Sequence, residues 1–292
     1  MISKYQLFCI MLLSRLSSEI AFPQTGGFGF EGMASVLVAE AIRLVVALPV
    51  IIYSSKGRDI YGAAVRKNRL LGTLLGLTGA FAAAFLAART VLISAEFAQR
   101  SIITGMSAAV TAIIIALLAI YMAIKGAEAL SRAGVLFLVA AGLVTVTVIL
   151  ADIPHMKLRD IGGAEMSESF IYQVLEQLLR GGEYLVFAAL LPYVKKGGGG
   201  TALVFALAST AALLLVELFG MSVLGEFYGI AEYPFTAAAE LADIAFFKRL
   251  DGFAAAVWTL GAAFRAGLLL FSVTAAVNSV MNGKEAVERS GT

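Results

Sequence analysis

Residues 167–196 read SESFIYQVLEQLLRGGEYLVFAALLPYVKK, and they read as one spanning helix built in two halves. Ser167 and Glu168 stand where an N-cap and a first-turn acid belong, at the positive end of a helix dipole. Ile171, Val174, Leu175, Leu178 and Leu179 then share one face, with Gln173, Glu176, Gln177 and Arg180 between them. Gly181 and Gly182 interrupt the pattern, Glu183 follows at once, and an apolar run from Tyr184 to Val194 leads to Lys195 and Lys196. The second half is too short to cross a bilayer alone, since about 20 apolar residues are needed; the two halves together suffice. A span broken at a glycine pair, with a carboxylate at the break, is a way to build a binding site at mid-membrane. The plainer alternative is a surface helix, a glycine turn and a separate short helix.

Composition places the rest of the chain in the membrane. Of 292 residues, 60% are hydrophobic and 14% are charged, against about 25% charged in an ordinary soluble domain. The mean hydropathy is +0.90. A net charge of +2 argues against nucleic acid as a partner. The lone Cys9 makes no intrachain disulfide, and the lone His155 leaves no Cys/His cluster for a metal. No phosphate-binding loop, nucleophile elbow or zinc-protease motif is present. The expectation is therefore a non-enzymatic, all-α, polytopic membrane protein without a cofactor, forming one integral-membrane domain over residues 1–292 with the lipid bilayer as its surroundings.

Eight spans follow, at about 5–22, 30–53, 70–95, 102–124, 133–150, the broken 167–194, 201–221 and 252–280. Span 1 is polar in its second half, SRLSSE, where Arg15 and Glu19 are four apart and can pair on one face; the alternative is a self-neutralised pair near the outer surface. Glu40 and Arg43 in span 2 are pairable in the same way. Span 3 has a small-residue face of Gly72, Gly76, Gly79, Ala80, Ala83, Ala84, Ala87 and Ala88, suited to close helix contact. Its Arg89 either pairs with Glu96 or faces a cavity. Lys125–Arg132 reads as a turn, Gly197–Gly200 as a flexible connection, and residues 236–247 as a short interfacial helix. With the N-terminus inside, twelve Lys and Arg fall on the inner side and six, Arg180 counted among them, on the outer side. That bias puts both termini in the cytoplasm.

Arg15, Glu19, Glu40, Arg43, Arg89, Glu183, Glu217 and Arg265 lie within spans. Each costs about 2.5–3.5 kcal/mol at the bilayer centre on insertion scales, so each needs a partner or a wet cavity. Glu183 and Arg265 have no opposite charge at i±3 or i±4. Either they pair with each other, or they line a site for a zwitterion, with Arg265 or Arg89 taking a carboxylate and Glu183 or freed carbonyls taking an ammonium.

Two segments carry a resemblance: GEYLVFAALLPYVKK at 182–196 and FFKRLDGFAAAVWTLGAAFRAGLLLF at 246–271. The second contains Arg249-Leu250-Asp251, Trp258, Gly261 and Arg265. Both resemble the B-subunit family of bacterial spore-germinant receptors, as do, more weakly, ISKYQLFCIMLLSRL, KGAEALSRAG and VLGEFYGIAEYPF. This family belongs to the amino acid–polyamine–organocation transporter superfamily. The resemblance implies the leucine-transporter fold: ten helices in two inverted repeats, with spans 1 and 6 unwound at the ligand site. It implies a subunit of the cell or spore inner membrane that senses a small nutrient such as an amino acid, with A and C subunits as partners. The ligand residues expected are then Ser17, Ser18, Arg89, Gly181, Gly182, Glu183 and Arg265. Span 1 here has SRLSSE where the family usually has small residues, and eight spans leave the ninth and tenth missing. A second reading is a proton- or sodium-coupled amino-acid transporter, with Glu183 or Glu217 carrying the proton.

Overall fold

A computed structural model describes residues 1–24, 29–54, 59–102, 105–157, 169–195, 198–242 and 250–290. Apart from an isolated bridge between Ile2 and Val194, all regular structure among them is helical. The helices are α1 (Lys4–Ile20), α2 (Phe30–Ser54), α3 (Ile60–Lys67), α4 (Arg69–Ser101), α5 (Ala108–Ile124), α6 (Gly126–Asp152), α7 (Phe170–Arg180), α8 (Glu183–Leu190), α9 (Gly199–Leu224), α10 (Pro234–Leu241) and α11 (Asp251–Ser290). By length and composition α2, α4, α6, α9 and α11 can each cross a membrane. The apolar α5 is shorter, at 17 residues. The chain is a polytopic all-α membrane protein. Large apolar side chains such as Val46, Phe81, Leu136 and Leu207 face outward, as they do when lipid is the solvent.

The innermost elements are α1, α8 and α11. α1 starts with a capping box, in which Ser3 Oγ accepts from the Gln6 amide at 3.1 Å and Gln6 Oε1 accepts from the Ser3 amide at 2.8 Å. It runs unbroken through Ser14–Glu19, so the unwinding of span 1 that the resemblance implies is not found; no glycine or proline interrupts that stretch. The start of the chain is tied to the end of span 6, with the Ile2 amide donating to Tyr193 O at 2.9 Å. α11 packs most extensively on α4. Part of the small-residue face predicted for span 3 lies on that side, where a Cβ on Gly76 would come within 2.2 Å of Val280 and Ala80, Ala83 and Ala87 are buried; Gly72 and Gly79 instead lie against α3, and Ala88 is exposed.

Several boundaries differ from the sequence reading. Span 3 continues to Ser101, because nothing between residues 96 and 101 breaks a helix. Lys125–Arg132 is not a turn: α6 begins at Gly126, and the reversal is made by that one glycine at φ +83°. The basic loop after α2 contains α3, capped by Asp59, whose side chain accepts from the Gly62 amide at 2.9 Å. The predicted interfacial helix is α10, and it packs inward, with Phe235 set edge-on to Trp258 at 6.3 Å; residues 243–249 lie outside the described residues. Of the four-glycine connection, Gly199 and Gly200 already belong to α9, and Gly197 lies outside the described residues. The caps proposed at Ser167 and Glu168 also lie outside them.

Candidate functional site

The break is where it was expected. α7 ends at Arg180, α8 begins at Glu183, and Gly182 has φ +156°, a conformation that side-chain-bearing residues avoid. The interruption frees carbonyls at the end of α7, the negative pole of its dipole. Three arginines from three other helices bind them. Arg43 of α2 donates from Nη2 to Gln177 O at 3.0 Å. Arg89 of α4 donates from Nη1 to Leu179 O at 3.2 Å. Arg265 of α11 donates from Nη2 to Arg180 O, and to Gly181 O at 3.1 Å.

Glu183 and Arg265 meet at the centre, each 1% exposed. Arg265 Nη1 donates to Glu183 Oε1 and to Ser14 Oγ at 3.0 Å, and Ser14 Oγ donates to Glu183 Oε1 at 3.0 Å. Of the two readings left open for this pair, the structure displays mutual pairing, with α1 as the third member. The α1 residue in contact is Ser14. Ser17 instead bonds Leu13 O at 2.7 Å and lies against Gly261 of α11, where a Cβ would come within 2.5 Å of Ser17 Oγ. Ser18 donates to Arg15 O at 2.8 Å and accepts from Arg15 Nη1 at 3.2 Å. Arg89 pairs with Glu176 of α7, not with Glu96, and its guanidinium lies 5.2 Å from the centre of the Phe22 ring. The Arg265 guanidinium lies 6.0 Å from the centre of the same ring.

A second set of buried charges adjoins this centre. Arg15 bonds Glu40 at 3.1 Å, Glu19 at 3.2 Å and Gln177 at 2.9 Å. Arg180 donates to Glu19 at 2.9 Å and to Pro23 O at 2.7 Å. Arg43 pairs with Glu40 at 2.9 Å. The pairs predicted within α1 and within α2 are thus both made, and they lie wholly inside the bundle. Arg180 also lies 3.8 Å from Glu176, the partner of Arg89, so among the described residues Arg15, Arg43, Arg89, Arg180 and Arg265 outnumber Glu19, Glu40, Glu176 and Glu183 by one in this connected set. Ser14, Gln177 and Arg180 were missed as site residues. Arg180 had a usable signal, a cation directly before the glycine pair; Ser14 had none beyond its place in a polar half-helix.

A cavity of 560 Å³ opens beside the break between α2, α3, α4 and α8, lined by Arg43, Leu75, Leu86, Gly181, Gly182 and Tyr184 among others, mostly apolar. Gly182 separates it from the charged centre: a Cβ there would lie 3.0 Å from Leu86 Cδ1 and 3.6 Å from Arg265 Nη2.

Fold and site together define a polytopic all-α membrane protein whose buried charges converge on a broken span. A family model described as spore germination protein, the spore permease family, matches residues 1–287. The chain belongs to that family and is a germination-related integral membrane protein. No curated protein matches it.

Proposed function

We infer that this protein is the membrane subunit of a nutrient-germinant receptor, which senses a small nutrient such as an amino acid and contributes to triggering spore germination. The observation that carries this reading is the Glu183–Arg265 pair at the α7–α8 break, set in a network with one guanidinium in excess. A zwitterion supplies both groups needed to take the pair apart. Its carboxylate replaces Glu183 on Arg265, and its ammonium takes Glu183 or the carbonyls of Arg180 and Gly181. With the ammonium on Glu183 the exchange keeps every buried charge partnered, which a low-dielectric interior demands. An apolar side chain of the nutrient has the adjoining cavity to enter, past a glycine that presents no side chain. Moving Arg265 off two carbonyls of the break changes how α7 is held, and that is a conformational signal. By family resemblance the signal passes to A and C subunits in the cell or spore inner membrane.

Orientation follows the charge count. With Arg180 buried, five Lys and Arg remain on the outer side against twelve inside, which supports cytoplasmic termini. The test of the site is spores carrying Glu183→Ala. Their nutrient-triggered germination is lost while the protein is present at its normal level; a normal nutrient response in those spores refutes the assignment. A secondary amino-acid transporter is the second reading, favoured by the broken span itself. Labelled amino acid taken up by proteoliposomes would establish it, and binding without uptake would speak for the sensor.

A further inference from the structure

Glu19, Glu40 and Glu183 each touch at least one guanidinium. Glu217 does not. It sits on α9, 3% exposed, and its Oε2 accepts a hydrogen bond from the Tyr228 hydroxyl, a neutral donor. Among the described residues no Lys or Arg nitrogen lies within 4.0 Å of it. An ionised carboxylate buried without a cation is unfavourable, whereas a protonated carboxyl has one oxygen free to accept from tyrosine and the other carrying the proton. Tyr228 is itself held in place: a Cβ on Gly220 of α9 would lie 2.5 Å from its ring.

The surroundings tie this carboxyl to the break. Glu19 of α1 and Arg180 of α7 are the charges that bear on it, and Gln24 lies beside it. Of the other helices packed on α9, α2 carries Glu31 and the mutually paired Glu40 and Arg43, and α10 carries Glu240. Arg180 holds Glu19 through Nη1 and Pro23 O through Nη2, while its buried Nε makes no hydrogen bond and lies 3.8 Å from Glu176. Its carbonyl in turn accepts from Arg265. We propose that Glu217 is a proton-binding site: with its proton on, Arg180 stays with Glu19 and the break stays held, and loss of the proton to water makes Glu217 a rival of Glu19 for Arg180. This holds whether the chain senses or transports, since it requires no nutrient.

The test uses the purified full chain in lipid nanodiscs. Infrared spectra at neutral pH, compared in water and heavy water, contain a buried carboxylic-acid carbonyl band that Glu217→Gln removes. Glu19→Gln frees Arg180 for Glu217, which then ionises, so the band is lost in that variant too. Tyr228→Phe gives an independent readout: it removes the hydroxyl that donates to the carboxyl, so the band moves to higher frequency. Absence of the band in wild type, its survival in Glu217→Gln or Glu19→Gln, or a band left unmoved by Tyr228→Phe overturns the proposal. Should Glu217→Gln or Glu19→Gln fail to fold, the band shift in Tyr228→Phe decides whether the proton is on Glu217.

Discussion

At the scale of single residues, the centre is a pair that cannot be halved cheaply. Arg265→Met leaves Glu183 buried with Ser14 as its one side-chain donor among the described residues. Breaking one side of such a pair costs about 3–5 kcal/mol, read as lost unfolding free energy in mixed micelles. Adding Glu183→Gln to that variant recovers part of the loss, because the two positions are coupled; purely additive losses would mean that the pair does not interact. Arg89→Met is milder. Its ion pair with Glu176 is 18% and 19% exposed, less deeply buried than the central pair, so its loss is expected to cost less than that of Arg265. The sequence disclosed the pairs that helical spacing enforces, Arg15 with Glu19 and Glu40 with Arg43. For Glu183 and Arg265 it disclosed the need for distant partners and offered each to the other. It did not disclose Arg180 with Glu19 or Arg89 with Glu176. Those partners lie on different helices, and no local periodicity encodes which helices become neighbours.

At the scale of the element, the proposed function makes the α7–α8 break the working part. Gly182 serves in two ways: its backbone takes a conformation other residues avoid, and it puts no side chain between Leu86, beside the cavity, and Arg265. Gly182→Ala is therefore expected to cost about 1–3 kcal/mol from backbone strain and to weaken the nutrient response beyond that loss, measured as germination at equal protein level. A response that tracks stability alone would leave the missing side chain without a role in ligand binding. Gly261 does a related job for α1 and α11. A side chain there runs into Ser17 Oγ, so Gly261→Val pushes the two helices apart and separates Ser14 from Arg265. The break was legible because two adjacent glycines inside an apolar helix have few other uses. α3 was not predicted, although Asp59 and Asn68 cap its flanks and the next helix; a helix of eight residues gives too little periodicity to stand out. The start of α6 was misplaced because its reversal needs one glycine instead of a polar loop.

At the scale of the whole molecule, a charged interior is wrapped in an apolar shell. The layout is economical for lipid: polar groups satisfy one another inside, and large aliphatic side chains face out. Composition alone gave this class, because a chain so poor in charge and so rich in long apolar runs has no other stable environment. Orientation is testable on two exposed positions. Lys67→Cys at the end of α3 is expected to react with a membrane-impermeant maleimide only after permeabilisation, and Glu226→Cys after α9 is expected to react in intact cells; the opposite pattern would reverse the topology. The broken span, the linked ion pairs and family membership meet in one claim, that a nutrient takes the place of the Glu183–Arg265 pair. A ligand that binds only the native state raises its stability. The direct measurement is thermal unfolding of the purified chain against the set of amino acids, wild type beside Glu183→Gln. At least one amino acid is expected to raise the wild-type midpoint and to leave Glu183→Gln unmoved. Equal shifts in both proteins, or none in wild type with any amino acid, would contradict it.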